Sequence, residues 1–253
     1  MNRRRPASAA KPGAFHRALL LSAFIVPGAL YAQTDLRPIG GRDAAILGAG
    51  VVLHGVGLWQ QRQHQAPVQL TLDPATLPGI DRAVLGHWGA PGNKASNILF
   101  GAATAASLTA VIIDQHGQHP LEPVAIVAES VFLASGLTNT VKEVVRRPRP
   151  YLYDPVGPRT VDGSGEDLLS FWSGHTANMA SITFSTACIV QRSDASHAVK
   201  STTWIAAALV PATMGYLRVR SARHFPTDVL TGYAVGAAVG ILVPYLHRPL
   251  EKR

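Results

Sequence analysis

The chain has 253 residues, of which 47% are hydrophobic and 15% are charged, and its formal net charge at pH 7 is +8. This length is enough for one domain with a substantial core. The positive charge could attract nucleic acid or a lipid surface, but five of the 23 basic residues precede residue 33, and no acidic residue precedes Asp35. The rest of the chain has a net charge of only +3, which argues against a nucleic-acid partner.

The first 32 residues have the pattern of an export signal. A basic stretch precedes the apolar run 18–26, and a Pro-Gly pair follows it, ahead of a candidate cleavage position after Ala32. The run is shorter than the roughly 20 apolar residues that cross a bilayer. We expect residues 1–32 to be a signal peptide, or alternatively an uncleaved N-terminal anchor. Residues 33–253 are predicted to form a single helical domain in the bacterial cell envelope.

Six apolar segments of helical length follow the signal. They are rich in Ala, Gly, Leu and Val, and none shows the period-two alternation of a strand. They span residues 44–60, 97–114, 122–141, 175–191, 202–217 and 228–246. The stretch 61–95 contains several Pro and Gly residues and is interpreted as a loop or as short surface helices. The segments predict an all-α fold, a bundle of six helices.

The same segments favour a polytopic membrane protein over a soluble bundle. Segments 44–59 and 229–246 are long and nearly uncharged, as the hydrocarbon core of a bilayer requires. Small residues are frequent in several segments, where they would let helices approach closely. Glu129 lies inside the third segment, and an ionisable group there needs a partner or a wet cavity. We therefore expect a multi-pass protein of the cytoplasmic membrane, with a soluble periplasmic protein as the alternative.

Three polar clusters lie where apolar segments end or begin, at residues 142–150, 173–175 and 218–228. In an up-and-down bundle, the end of the third helix, the start of the fourth and the connection from the fifth to the sixth lie on the same side. The topology therefore predicts that the three clusters meet in one site, with the active-site loops gathered on one face of the bundle.

The first cluster contains two cations suited to a phosphate group. Lys142 ends the third segment, and flanking prolines hold Arg149 in an extended piece that can turn back toward Lys142. Lysine offers a point charge, and arginine a planar fork, to a phosphate dianion. Arg146 and Arg147 are interpreted as a positive flank next to the membrane.

The second cluster, Ser173-Gly174-His175, opens the fourth segment. Glycine lets the backbone approach a ligand closely, and the free amides of a helix start bind anions. The Ser173 hydroxyl adds a donor, and His175 can protonate a leaving oxygen because the pKa of imidazole lies near working pH. The cluster predicts a phosphate cradle with a general acid. Its plainer interpretation is an N-cap serine followed by a surface histidine.

The third cluster contains Arg218, His224 and Asp228. A histidine nucleophile needs one nitrogen with a lone pair and one that carries a proton, and a carboxylate that accepts the second N–H fixes this state. Asp228 is predicted to do so for His224, while Arg218 would neutralise the transferring oxygens. The plainer interpretation is a basic loop with a helix-capping aspartate.

The order and spacing of these residues resemble the three-part signature of the type 2 phosphatidic acid phosphatase superfamily, over roughly residues 81–247. The matching patterns are Lys142-x6-Arg149-Pro150, Ser173-Gly174-His175 and Arg218-x5-His224-x3-Asp228. The resemblance implies an all-helical phosphatase that needs neither a metal nor a cofactor. It implies that His224 is the nucleophile, Asp228 its orienter and His175 the general acid. The implied phosphate ligands are Lys142, Arg149, Ser173, the Gly174 amide and Arg218.

Two residues depart from that family's pattern. Trp172 stands where the family usually has Pro, and Leu217 stands where it usually has Ser. The first departure changes a residue that stiffens a turn, and Trp172 is expected to be a packing or interface aromatic. The second removes a hydroxyl that can support the pocket, so it bears on rate or substrate preference more than on reaction type.

The sequence therefore predicts a membrane phosphatase that hydrolyses a phosphate monoester or diphosphate of a lipid through a phosphohistidine intermediate. Candidate substrates are phosphatidic acid, phosphatidylglycerol phosphate, a polyprenyl diphosphate and the phosphates of lipid A. Three alternatives are a soluble periplasmic acid phosphatase, a vanadate-dependent haloperoxidase, and a non-catalytic membrane protein that binds anionic lipid.

Overall fold

The described part of the protein is helical throughout, as the sequence predicts. The computed structural model describes residues 40–63, 72–86, 90–114, 121–153 and 166–247, and the predicted signal lies outside these ranges. The α-helices are α1 (Gly41–Gln63), α2 (Gly79–Arg82), α3 (Ala90–Asp114), α4 (Leu121–Val145), α5 (Gly174–Gln191), α6 (His197–Arg220) and α7 (Pro226–Leu246). The six long helices among them correspond to the six predicted segments, and no strand occurs in the described ranges.

The start of α3 differs from the prediction. This helix begins at Ala90, within the stretch that was predicted to be a loop or short surface helices. Pro91 is tolerated in the first turn because the N–H groups there have no partner within the helix. Gly92 lets α3 lie against α6, since a Cβ at this position would come within 3.0 Å of the Leu217 carbonyl oxygen. Pro and Gly therefore serve helix initiation and close packing at this place.

The start of α1 and the end of α7 lie together at one end of the bundle. Arg42 Nη1 donates to the carbonyl oxygen of Leu246 (2.8 Å), and His247 Nε2 lies 2.7 Å from the Asp43 carboxylate. α7 begins at the opposite end, where α4 and α6 finish and α5 starts. The bundle therefore gathers the active-site loops on one face, as predicted.

Three glycines of α7 form a seam against α5. A Cβ at Gly232, Gly236 or Gly240 would come within 2.6, 2.1 or 2.6 Å of a backbone carbonyl oxygen of α5 or of its N-cap residue. The carbonyls belong to Ser173, Ala177 and Ser181, so both helices contribute every fourth residue. Small residues at this spacing let two helix backbones touch. The seam fixes the register between α5, which carries His175, and α7, which carries Asp228.

Apolar residues both fill the bundle and cover its outside. The buried cluster lies between α3, α4, α5 and α7 and contains Val111, Ile126, Val127, Ala134, Ile182, Ile189, Val239 and Val243. Large apolar side chains are also exposed on the outer surface, among them Val52, Trp59, Ile98, Leu121 and Leu230. Many large apolar side chains exposed on the outside of a helical bundle are consistent with a membrane or partner interface.

Among the described helices, three are long and apolar enough to cross a membrane. The candidate spans are Pro91–Asp114, Leu121–Tyr153 and Pro226–Leu246. α1 is not among them, although segment 44–59 was one of the two on which the membrane interpretation rested. Its polar ends and its glycines lower its hydropathy. The helical fold with its three candidate spans agrees with the predicted membrane protein.

Candidate active site

His224 lies in the short connection between α6 and α7 and is almost completely buried, with 1% of its surface exposed. Its Nδ1 lies 2.7 Å from the carbonyl oxygen of Ser170. Because a carbonyl can only accept, Nδ1 carries the proton and Nε2 keeps its lone pair. This is the state that a nucleophilic histidine requires.

Asp228 reaches His224 indirectly, which differs from the predicted contact. Its Oδ2 is 3.8 Å from His224 Nδ1, beyond hydrogen-bond distance. The same oxygen accepts from the Ser170 hydroxyl (2.6 Å) and from the backbone N–H of Phe225 (2.9 Å). The Asp228 carboxylate lies in the first turn of α7 and caps the Phe225 N–H, and this hydrogen bond keeps it away from the imidazole ring of His224. Ser170 therefore connects the two, with its hydroxyl on Asp228 and its carbonyl on His224.

Arg147 lies inside the site. The sequence analysis interpreted it as part of a positive flank next to the membrane, and this interpretation was wrong. Its Nη1 donates to Asp228 Oδ1 (2.5 Å) and to Thr227 Oγ1 (2.8 Å), and its Nη2 donates to Asp81 Oδ2 (2.7 Å). Asp81, in α2, is fully buried and also accepts from the Thr227 hydroxyl (2.6 Å). The guanidinium lies 4.2 Å from the centre of the Phe225 ring. Arg147 thus joins two buried carboxylates from distant parts of the chain.

Two of the predicted phosphate ligands, Lys142 and Arg149, are held by backbone carbonyl oxygens. Lys142 Nζ donates to Leu169 (2.8 Å), and Arg149 donates from Nε to Glu166 (2.8 Å) and from Nη1 to Arg223 (3.2 Å). Arg149 is only 4% exposed. Carbonyl partners orient a cation without neutralising it. Arg149 also has a carboxylate nearby, since its Nη2 lies 3.7 Å from Glu166 Oε2.

Arg218, the third predicted cation, is supported by the first turns of α3. Its Nη1 donates to Asn93 Oδ1 (2.7 Å) and Ser96 Oγ (3.2 Å), while its buried Nε has no hydrogen-bond partner in the described residues. A buried donor left unpaired is costly and is typical of a site that awaits a ligand. The sequence analysis missed Asn93 and Ser96 because it assigned this stretch to a loop; their helical spacing within α3 was the available signal.

Ser173 and Gly174 shape the start of α5. The backbone N–H of Thr176 lies 3.4 Å from Ser173 Oγ, which identifies Ser173 as the N-cap of the helix. Its hydroxyl is also 2.9 Å from that of Thr176, and both are buried. A Cβ at Gly174 would lie 3.2 Å from Thr138 and 3.9 Å from the Lys142 side chain. The absence of a side chain therefore leaves the α5 amides open beside Lys142.

His175 projects toward α3. Its Nε2 donates to Asn97 Oδ1 (3.1 Å), and its ring meets the edge of Phe100, with 5.7 Å between ring centres. Burial, followed by the charges of Arg218, Lys142 and Arg149, lowers the pKa of His175 to about 4. The imidazole is therefore neutral when no anion is bound.

The same cations act on His224. Burial is the main cause that lowers its pKa well below the usual range, and the charges of Lys142, Arg149 and Arg218 lower it further. The three sequence clusters do meet, because Asp228 of the third cluster accepts hydrogen bonds from the Ser173 backbone N–H (3.1 Å) of the second and from Arg147 Nη1 (2.5 Å) of the first. The arrangement can bind a compact dianion next to a neutral imidazole.

The two departures from the expected pattern are accommodated differently. Trp172 Nε1 donates to Thr138 Oγ1 (2.8 Å), so its indole connects the loop before α5 to α4. Thr138 lies one helical turn before Lys142. Leu217 brings no hydroxyl. Ser96 of α3 supplies one to the neighbouring Arg218 instead.

Comparison with known proteins now identifies the class. The family model of the PAP2 superfamily matches residues 123–252, about half of the chain, and these include every predicted site residue. The chain belongs to the PAP2 superfamily, and it is a phosphatase, a hydrolase of phosphoric esters. No curated protein matches it significantly. A similar solved structure is described as the first transmembrane PAP2 type phosphatidylglycerolphosphate phosphatase from Bacillus subtilis. It has 20% sequence identity and a TM-score of 0.46, over 78% of this chain and 95% of that one.

Proposed function

We propose that this protein hydrolyses a phosphate monoester or diphosphate of a membrane lipid through a phosphohistidine intermediate, without a catalytic metal. The observation that carries the proposal is the pairing of a buried, neutral His224 with three cations that all act on its ring. The three apolar helices and the exposed apolar surface support a lipid substrate and a place in the bacterial cytoplasmic membrane.

In the first chemical step, Nε2 of His224 attacks phosphorus, so that a P–N bond forms while the ester P–O bond breaks. The departing alkoxide oxygen takes a proton from His175. A bound phosphoryl dianion offsets the three cations and so raises the pKa of His175 from its low value, which allows this residue to carry the proton. In the second step, His175 accepts a proton from water, the hydroxide oxygen attacks phosphorus, and the P–N bond breaks to release phosphate.

The cations and the carboxylate have separate roles in this scheme. Lys142, Arg149 and Arg218 hold the nonbridging oxygens, whose charge they stabilise in the transition state. The Gly174 amide adds an N–H donor at the start of α5. Asp228 acts through Ser170: it holds the hydroxyl, and the Ser170 carbonyl in turn keeps the proton on Nδ1. Ser173 shapes this end of α5 as its N-cap.

A substrate panel tests the proposal. We expect phosphatidic acid, phosphatidylglycerol phosphate or a polyprenyl diphosphate, presented in detergent micelles, to be hydrolysed with a higher kcat/KM than water-soluble p-nitrophenyl phosphate. Release of inorganic phosphate is the measurement. A preference for the water-soluble ester, or recovery of the protein by extraction without detergent, would support a soluble acid phosphatase instead. Halide oxidation that depends on added vanadate would support a haloperoxidase.

The role of His175 is tested by the leaving group. We expect His175→Ala to slow hydrolysis of an alkyl phosphate by about 100- to 10,000-fold, because an alkoxide needs a proton to depart. p-Nitrophenolate leaves without one, so its release should fall far less. The measurement is the pre-steady-state release of each leaving group with the same preparation, which excludes the second step that both esters share and separates this effect from misfolding. An equal loss with both esters would contradict the assignment of His175 as general acid.

A further inference from the structure

A second cluster of titratable groups lies at the end of the bundle away from His224. It contains Asp43 at the start of α1, Glu129 in α4 and His247 just after α7, which are 7%, 3% and 6% exposed. Glu129 precedes Lys142 on the same helix by 13 residues, so a rise of 1.5 Å per residue separates the cluster from the phosphatase site by roughly 20 Å. The cluster is therefore a separate feature of the fold.

His247 presents one nitrogen to both carboxylates. Its Nδ1 is 2.8 Å from the Val243 carbonyl oxygen, which places the proton on Nδ1. Its Nε2 lies 2.7 Å from Asp43 Oδ1 and 3.2 Å from Glu129 Oε2. The three ligand atoms all lie within 4.8 Å of one another. Glu129 Oε2 is buried and lies at ion-pair distance from His247 Nε2, but it makes no hydrogen bond of good geometry within the described residues.

The charges in this cluster call for a cation. Two ionised carboxylates around the lone pair of a neutral imidazole are costly in a buried place, because their like charges repel each other at short range. A proton on His247 Nε2 would leave one negative charge uncompensated. A divalent ion would compensate both carboxylates and would also coordinate Glu129 Oε2, which makes no hydrogen bond within the described residues.

We propose that Asp43, Glu129 and His247 bind a divalent first-row transition-metal ion such as Zn²⁺. One imidazole nitrogen and two carboxylate oxygens form a donor set that suits Zn²⁺, and water would complete a four-coordinate site. The hydrogen bond from Nδ1 to a backbone carbonyl is the usual support of a metal-binding histidine. The ion joins α1, α4 and α7 and takes no part in phosphate hydrolysis. No sequence motif indicates this site, because its residues come from three distant helices.

The proposal is tested on the full chain purified in detergent and freed of metal by a chelator. We expect a single zinc ion to bind per chain in equilibrium dialysis, and Zn²⁺ to raise the temperature of thermal unfolding. Co²⁺ should give the visible absorption of a four-coordinate site. Both results should persist in His224→Ala, which removes a competing ligand from the phosphatase site. A folded wild-type protein that binds no zinc and gives no cobalt absorption would overturn the proposal.

Two matched variants of α4 assign the binding to this cluster. Glu129→Gln removes a ligand, and we expect zinc affinity to fall at least about tenfold. Glu122→Gln makes the same chemical change in the first turn of the same helix, outside the cluster, and should bind zinc as the wild type does. Equal affinity in Glu129→Gln would overturn the assignment. If Glu129→Gln does not fold, Asp43→Asn replaces it as the test variant and should show the same loss of zinc affinity.

Discussion

Replacing His224 with alanine is expected to lower kcat for lipid-phosphate hydrolysis by at least about 10,000-fold, because it removes the nitrogen that forms the covalent intermediate. The cations that bind phosphate remain, so the substrate should still bind. The ring makes a hydrogen bond only to the Ser170 carbonyl among the described residues, so we expect the helical fold to persist. Phosphate release and circular dichroism are the two measurements.

The control for this change is His197→Ala. His197 is exposed at the start of α6 and lies outside the site, so its loss should leave kcat close to that of the wild type.

The covalent intermediate can also be detected directly. After brief exposure to labelled substrate and quenching without acid, the wild type should carry an acid-labile phosphoryl group that His224→Ala lacks. Substantial turnover by folded His224→Ala would contradict a histidine nucleophile at this position.

Replacing Arg147 with alanine is expected to lower the free energy of unfolding by about 3–5 kcal/mol, the usual effect of removing one partner from a buried ion pair. Asp81 and Asp228 are both fully buried, and each accepts a charged hydrogen bond from this guanidinium. Without it, two negative charges remain in the interior with only neutral partners. Denaturant titration in detergent micelles, followed by circular dichroism, measures the change.

Arg146→Ala is the matched control, because the two neighbouring arginine side chains are almost equally exposed, at 20% and 17%. Arg146 lies 3.4 Å from Glu143 in a weaker contact within one turn, so its loss should cost no more than about 1 kcal/mol. Equal destabilisation by both variants would show that the link between Asp81 and Asp228 contributes no special stability.

The location of the phosphatase site could be predicted because its cations and histidines lie at helix ends. Counting apolar segments is enough to bring Lys142, Ser173 and Arg218 to one face, and the spacing of the motifs identifies the family. These inferences need only the chain order of the helices. They do not depend on how any side chain is oriented.

The groups that orient the site could not be predicted in the same way. The acceptor for His224 Nδ1 is a backbone carbonyl, at Ser170, and a backbone oxygen has no sequence signal. Asp81 reaches Arg147 only because the short helix α2 packs beside the start of α7. The N-terminal turns of α3 were obscured by a Pro-Gly pair that usually marks a loop.

The environment of Glu129 could be predicted only in part. Its place inside an apolar segment predicted a partner without saying which. The partner is His247, which belongs to the final turn of the bundle and follows the last apolar segment. Only the folded arrangement of α1, α4 and α7 brings the two together, and it adds Asp43 to them.

Because the start of α1 and the end of α7 lie together at one end of the bundle, two fusion proteins can show in which compartment the enzyme works. Residues 41 and 247 lie at the end opposite the phosphatase loops. In a membrane, a reporter domain fused near either residue would therefore occupy the same compartment as one fused near the other. The substrate would be dephosphorylated on the other side. Two fusions that agree would thus locate the reaction without any label in the active site.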